Sequence, residues 1–335
     1  EYLGLSPTNF PHWKVRGRTI PPWANSPDVF GPQAALDAPT ETLYAPIRKR
    51  GYDPASTLVA MDAEGIDEAV LLRTFAHMVV SLDDLDGAYA TACCRAFNEW
   101  LTAYCTADPR RLRASAIVSL HDPELAADEA RRAVREDGAA AVVVLPMPAG
   151  ARYLHAPECD VLWAEIERLG VPLVVHGTSG GASRDYVSNR YVGHPNFRTL
   201  NHSSAFPQEL MLAMGALLVG GVLERFQHLK VGFLEGNCGW LPWWLGRLDD
   251  QWKKYGAGEK TRLSALPSEY FMRQCWIGTD VDEALLPQVV DAFGDERIVL
   301  STDYPHADGP FPNGIHEFLE REDVGGASKR RILWD

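Results

Sequence analysis

Residues 171–177 read VPLVVHG, a short apolar run that ends on a histidine and a glycine. It is too short for a helix and rich in β-branched residues, which is the pattern of a strand buried on both faces. Six further runs share its texture: EAVLLR (68–73), SAIVSL (115–120), AAVVVLP (140–146), LKVGFLEG (229–236), CWIGTD (275–280) and RIVLSTD (297–303). Helical stretches lie between them, among them DPASTLVAMDAEG, DPELAADEARRAVREDG, APECDVLWAEIERLG and GWLPWWLGRLDDQWKK. Several open on Asp or Ser and stop at Gly, as capped helices do. Strand and helix in strict alternation predict a parallel sheet, and at this length the α/β fold expected is a (β/α)8 TIM barrel in a single domain. A closed barrel has eight strands and seven are counted. The first is expected either upstream of Glu1 or within the irregular segment 1–50, and the former is preferred because the chain also stops at RRILWD inside what reads as a helix. A doubly wound sheet competes, but no G-x-G-x-x-G follows the first visible strand and no glycine-rich phosphate loop with Lys-Ser/Thr occurs.

The two ends of the chain differ in texture. Residues 1–50 are rich in proline, aromatics and turn formers (NFPHW, TIPPWANSPDVFGPQ), show no period of 2 or 3.6, and read as an irregular lid or insertion. Residues 51–335 carry the barrel pattern. Of the 335 residues, 46% are hydrophobic and 23% charged, ordinary globular proportions that, with no apolar run near the roughly 20 residues of a membrane span, predict a soluble protein. A net charge of -13 argues against a nucleic-acid footprint, which is a concentrated basic face. Six scattered cysteines without CxxC spacing, and a start (EYLGLSPTNF) without a signal-peptide pattern, point to a reduced, cytoplasmic protein.

In a barrel the groups that do chemistry sit at or just after the C-terminal ends of the strands. Four of the seven strands end there in an ionisable residue: His176, Glu235, Asp280 and Asp303. A strand buried on both faces has no structural use for such an end, because burying an unpaired charge costs several kcal/mol, and a shared cation offsets that cost. Each residue also has a plainer reading. His176 beside a glycine is as readily a hydrogen-bonded structural histidine, Asp280 precedes the helix DEALLPQVV and reads as its cap, and His202 in TLNHSSAFPQ reads equally as a helix-start residue. Glu235 (LEGNCGW) and Asp303 (STDYPH) are harder to explain structurally, and His306 lies within reach of Asp303 as a supporting or acid–base group. His77 is a candidate for the barrel mouth. Trp240, Trp243 and Trp244 follow helical spacing, which is a packing pattern, and Trp240 is also a candidate substrate contact.

With these residues in view, the sequence from about Tyr52 onward resembles the amidohydrolase-related barrels of the aminocarboxymuconate-semialdehyde decarboxylase kind. The resemblance rests on GYDPASTLVAMDAEGIDEAVLL, DPRRLRASAIVSLHDPELAADEARRAV, VPLVVHG, GGVLERFQHLKVGFLEGNCGW and RIVLSTDYPH. It implies a metal site with His176 as the fifth-strand ligand and Asp303 as the eighth-strand ligand. The family's first-strand Asp-x-His-x-His-like motif is absent from this sequence, and Glu235 stands where the sixth-strand histidine is expected. The Glu-Gly-Asn-Cys-Gly-Trp variant is similar to the non-haem diiron monooxygenase of platensimycin and platencin biosynthesis. That second resemblance implies two irons held by His176, His202, Glu235 and Asp303, with O2 and an electron donor used to hydroxylate a coenzyme A-linked diterpenoid. Arg184, Arg190 or the cluster Arg48, Lys49, Arg50 would then meet the substrate's phosphates. The alternative is the commoner chemistry of the group, hydrolysis or non-oxidative decarboxylation by one divalent zinc or manganese, with Asp303 acting on a bound water. A catalytically dead scaffold is a third reading, which four polar strand ends oppose. Barrels of this kind commonly pair as homodimers.

Overall fold

The computed structural model describes residues 2–5, 11–15, 18–20, 42, 45–47 and 49–334, apart from 74, 75, 151, 179–182, 307 and 308. Three short strands, β1 (Tyr2–Leu5), β2 (Pro11–Val15) and β3 (Arg18–Ile20), pair antiparallel as a small meander. The reading of residues 1–50 as wholly irregular is corrected to that extent. Strands of three to five residues, one opening on a proline, are too brief to show an alternating pattern. The lid expectation for this segment, and Arg48 with it, concerns residues that lie largely outside those described.

Seven strands follow: β4 (Ala69–Leu71), β5 (Leu112–Ile117), β6 (Ala141–Val144), β7 (Leu173–His176), β8 (Val231–Leu234), β9 (Cys275–Asp280) and β10 (Ile298–Ser301). All pair in parallel and in chain order, each with its sequence neighbour, so the sheet runs β4 through β10 without a crossover reversal. This is the parallel β/α arrangement of a TIM barrel, and the seven expected strands are the seven found. β4 and β10 are the edges of the sheet among the described residues.

The period of two along each strand sorts residues between the helical shell and the barrel interior. Val142, Val144, Leu173, Val175, Val231, Phe233, Cys275 and Ile277 join the main core under the helices, where Trp163 is fully buried and donates its indole N–H to the Leu154 carbonyl. Ala141, Val143, Val174 and Leu234 face inward as a separate, smaller cluster. Parity therefore points His176 inward with Val174, and Asp280 inward with Gly278. The helices are punctuated as the sequence predicts. Asp53 caps Pro54–Glu64 through the Ser56 N–H, Asp122 caps Pro123–Arg135, and Gly65 and Gly170 end their helices in the left-handed conformation. No helix among the described residues is long and apolar enough to cross a membrane.

One helix reaches over the strand ends. Phe197–Val219 carries His202 and Glu209, and the Glu209 carboxylate accepts the Val187 N–H at 2.7 Å, tying the short 3-10 turn Val187–Tyr191 to the helix. Burial, with the Asp185 charge adding to it and the Val187 N–H opposing, pushes this carboxyl up to about 7. A raised carboxyl binds its proton more tightly in the folded chain, so its contribution is fully favourable below about 4.5 and is lost as pH rises through about 7. Glu209→Gln keeps an oxygen for Val187 and removes the charge. The variant is expected to exceed the parent in stability by roughly 1–3 kcal/mol at pH 8, the difference closing near pH 4.5. Denaturant unfolding at the two pH values checks this, and a difference independent of pH contradicts it.

Candidate metal centre

His176 ends β7 on the inward face and is 8% exposed. Its Nδ1 lies 2.7 Å from the Gly177 carbonyl oxygen, which can only accept, so Nδ1 carries the proton and Nε2 presents a lone pair. Burial, followed by the neighbouring Arg73 charge, holds the imidazole well below its usual pKa and therefore neutral. Yet Nε2 stands 2.7 Å from Glu235 Oε2, two acceptors face to face. Two lone pairs at that distance repel unless a proton or a cation is shared between them. The donor set thus fits a metal ion on this chain's own geometry.

Glu235 reaches that position through its backbone. By parity it would follow Val231 and Phe233 toward the helical shell, but it adopts a left-handed φ of 59° just past the end of β8. Asn237 (57°) and Asp303 (54°) do the same, and Tyr52 is the fourth such non-glycine residue described. Left-handed backbone costs a non-glycine residue on the order of 1 kcal/mol, so three instances at one barrel mouth mark a place where side-chain direction outweighs local strain. Gly177 is required for a different reason, since a β-carbon there would collide with the Glu235 carbonyl oxygen. The turns after β7 and β8 touch at that point.

Glu235, Asp303 and His306 bring one ligand atom each within 4.8 Å of one another. The backbone helps, for the His306 N–H donates to the Asp303 carbonyl at 2.8 Å. Asp280 sits beside them at the end of β9, accepting the Asn237 amide at 2.6 Å. Burial, then the Asp303 charge, pushes Asp280 up to about 6. The capping reading of Asp280 is corrected: the following helix begins at Leu286, and Asp280 faces the barrel mouth instead.

These groups wall a cavity of about 2210 Å³ that extends the length of the barrel and is bordered by both edge strands. His202 and His77 also line it, His202 from the long helix with its ring against Phe206. Arg184, Arg190 and Trp240 are not among its lining residues. Arg184 and Arg190 are exposed, the former donating its backbone N–H to Asp83. Trp240 packs on the core and donates its indole N–H to the Gly236 carbonyl at 2.8 Å.

Arg73 was not singled out in the sequence although it closes EAVLLR, and the strand-end rule applied to His176 covers it equally. Its side chain is buried just beyond β4, and Nη2 donates to the carbonyls of His176 (3.2 Å) and Gly177 (2.5 Å). Burial lowers the guanidinium to about 10, with Glu235 pulling the other way.

The amidohydrolase family profile matches residues 22–335, and the chain belongs to that family. It is 28% identical over 292 residues to a gamma-resorcylate decarboxylase of Rhizobium sp. (strain MTP-10005), covering 82% of this chain and 85% of the relative. It is 25% identical over 298 residues to the 2-amino-3-carboxymuconate-6-semialdehyde decarboxylase of Dictyostelium discoideum, covering 84% and 77%. Among solved structures, a dihydroxybenzoic acid decarboxylase from Polaromonas sp. JS666, with bound manganese and the inhibitor 2-nitroresorcinol, has the same fold, with a TM-score of 0.63, 22% identity, and coverage of 83% and 82%.

These matches correct the expectation of a diiron monooxygenase. The relatives matched over four fifths of the chain are decarboxylases and not oxygenases, and the ion bound in the solved decarboxylase is manganese and not iron. The physical error lay in letting Glu235 choose the reaction. A carboxylate-rich donor set is hard and suits manganese as well as iron, so it constrains the ion more than the chemistry.

If these donors form one site, His176→Ala and Glu235→Ala are each expected to lower bound manganese at least about tenfold. Arg190→Ala should leave it unchanged. Metal analysis after gel filtration, with circular dichroism to confirm folding, is the measurement, and full metal content in both alanine variants contradicts the site.

Proposed function

We propose that this protein is a divalent-metal-dependent, non-oxidative decarboxylase of a small aromatic or similarly conjugated acid, using manganese or zinc. The observation that carries the reading is the 2.7 Å approach of a neutral His176 Nε2 to Glu235 Oε2. Asp303 and His306 complete the donor set, and His202 reaches the same cavity. The activity of relatives matched over four fifths of the chain supports the reaction class.

A bound divalent ion would supply charge that polarises the substrate's oxygen groups and draws electron density from the bond to be broken. The chain's own residues do the rest. The carbon–carboxylate bond breaks, CO2 leaves without its bonding pair, and that pair stays on the carbon, which must take up one proton. Asp280 is suited to hold that proton, because burial and then the neighbouring Asp303 charge push its carboxyl up to about 6. Asn237 orients the Asp280 carboxyl toward the mouth. The inward apolar residues Val174 and Leu234 give the cavity an apolar wall next to the site.

The test is anaerobic. Manganese-loaded protein is expected to release CO2 from one or more members of a panel of hydroxybenzoates that includes 2,6-dihydroxybenzoate, to lose that activity on chelation, and to regain it with manganese. A requirement for O2 and a reductant, or no metal-dependent CO2 release from any member, overturns the proposal.

A further inference from the structure

The most unusual charge in the cavity is Arg73. It is 8% exposed, makes no ion pair among the described residues, and sends both of its hydrogen bonds from one nitrogen, Nη2, to main-chain carbonyls. Nε is buried with no partner. A buried guanidinium normally meets a carboxylate in a two-pronged pair, and leaving it without one is costly. Glu235 is the carboxylate that acts on it most strongly, but Glu235 is turned to His176. Surface arginines of this chain do form such pairs, for example Arg225 with Asp160 and Arg321 with Asp323. Arg73 is therefore held in place by carbonyls and borders the cavity with no carboxylate paired to it among the described residues.

We infer that Arg73 is the anion anchor of this cavity, holding a carboxylate of the substrate that the reaction leaves in place. The inference rests on the decarboxylase reading for the second half of that statement only. A guanidinium bonded to the departing carboxylate would stabilise the reactant, whose charge sits on that group, more than the transition state, whose charge has moved into the conjugated system. Such an interaction slows the step. An anchor on a second, retained carboxylate binds reactant and transition state alike and sets specificity without that penalty. The substrate class is then a conjugated diacid rather than a monoacid. Arg73 acts here as a positioning and specificity residue, and its clamp on the His176 and Gly177 carbonyls ties the anchored group to the metal-side turn.

Two titrations test the two halves, each by calorimetry on the full chain. In the metal-free protein, benzoate is expected to bind at least about tenfold tighter than benzamide, its neutral counterpart. Arg73→Met should erase that preference while benzamide binding stays the same, and Arg73→Lys should keep part of it. A purely structural clamp would weaken both probes together. Equal affinities in the parent, or a preference that survives in Arg73→Met, overturn the anchor, and the parent comparison decides the matter even where the methionine variant fails to fold. In the manganese-loaded protein, isophthalate is expected to outbind benzoate at least about tenfold, again through Arg73. Equal binding there overturns the diacid assignment and places Arg73 on the departing group. CO2 release plays no part in either titration, so a failed anchor and a failed decarboxylase reading give different results.

Discussion

The contact between His176 and Glu235 organises the upper half of this barrel. For Nε2 and Oε2 to meet at 2.7 Å, three things must hold together. β7 must deliver His176 on the inward face. The chain after β8 must turn left-handed to bring Glu235 back from the shell side. Gly177 must lack a β-carbon so that the two turns can touch. None of these is favourable by itself. Two acceptors at that distance need a shared proton or cation, and a divalent ion held also by Asp303 and His306 would meet that need.

The strands were legible in the sequence because strands buried on both faces leave uninterrupted apolar runs; six of the seven lie inside their expected runs, and β5 lies three residues ahead of its own, from Leu112 to Ile117. Helix limits were legible for the same kind of reason, since Asp53, Asp122, Gly65 and Gly170 are chemically obliged to mark them. The N-terminal meander was not legible, because strands of three to five residues with proline among them carry no measurable period.

The site was legible in its members and obscure in its roles. His176, Glu235 and Asp303 follow from one rule, that a strand end with no structural use for charge has a chemical one. Asp280 was misread because an aspartate a few residues ahead of a helix looks like a cap, and only the inward parity of β9 separates the two. Arg73 carries no sequence signal beyond closing the run EAVLLR. Its burial depends on the turn after β7, more than a hundred residues away, and no local pattern encodes that.

Arg73 and Glu235 are best understood together. Where the family resemblance implies a neutral histidine, this chain has a carboxylate, which lowers the charge of the centre by one. An anionic substrate approaching Glu235, Asp303 and a divalent ion would meet a site near neutrality, with little attraction to offset the loss of its own hydration. A permanently charged guanidinium beside Glu235 restores the missing unit without adding a ligand, and burial lowers it only to about 10, so it stays protonated at any pH the fold would experience near neutrality. The exchange of histidine for glutamate and the presence of a buried arginine thus read as one electrostatic solution. On the proposed reading the glutamate would tune the donor set and the arginine would keep the cavity attractive to an acid.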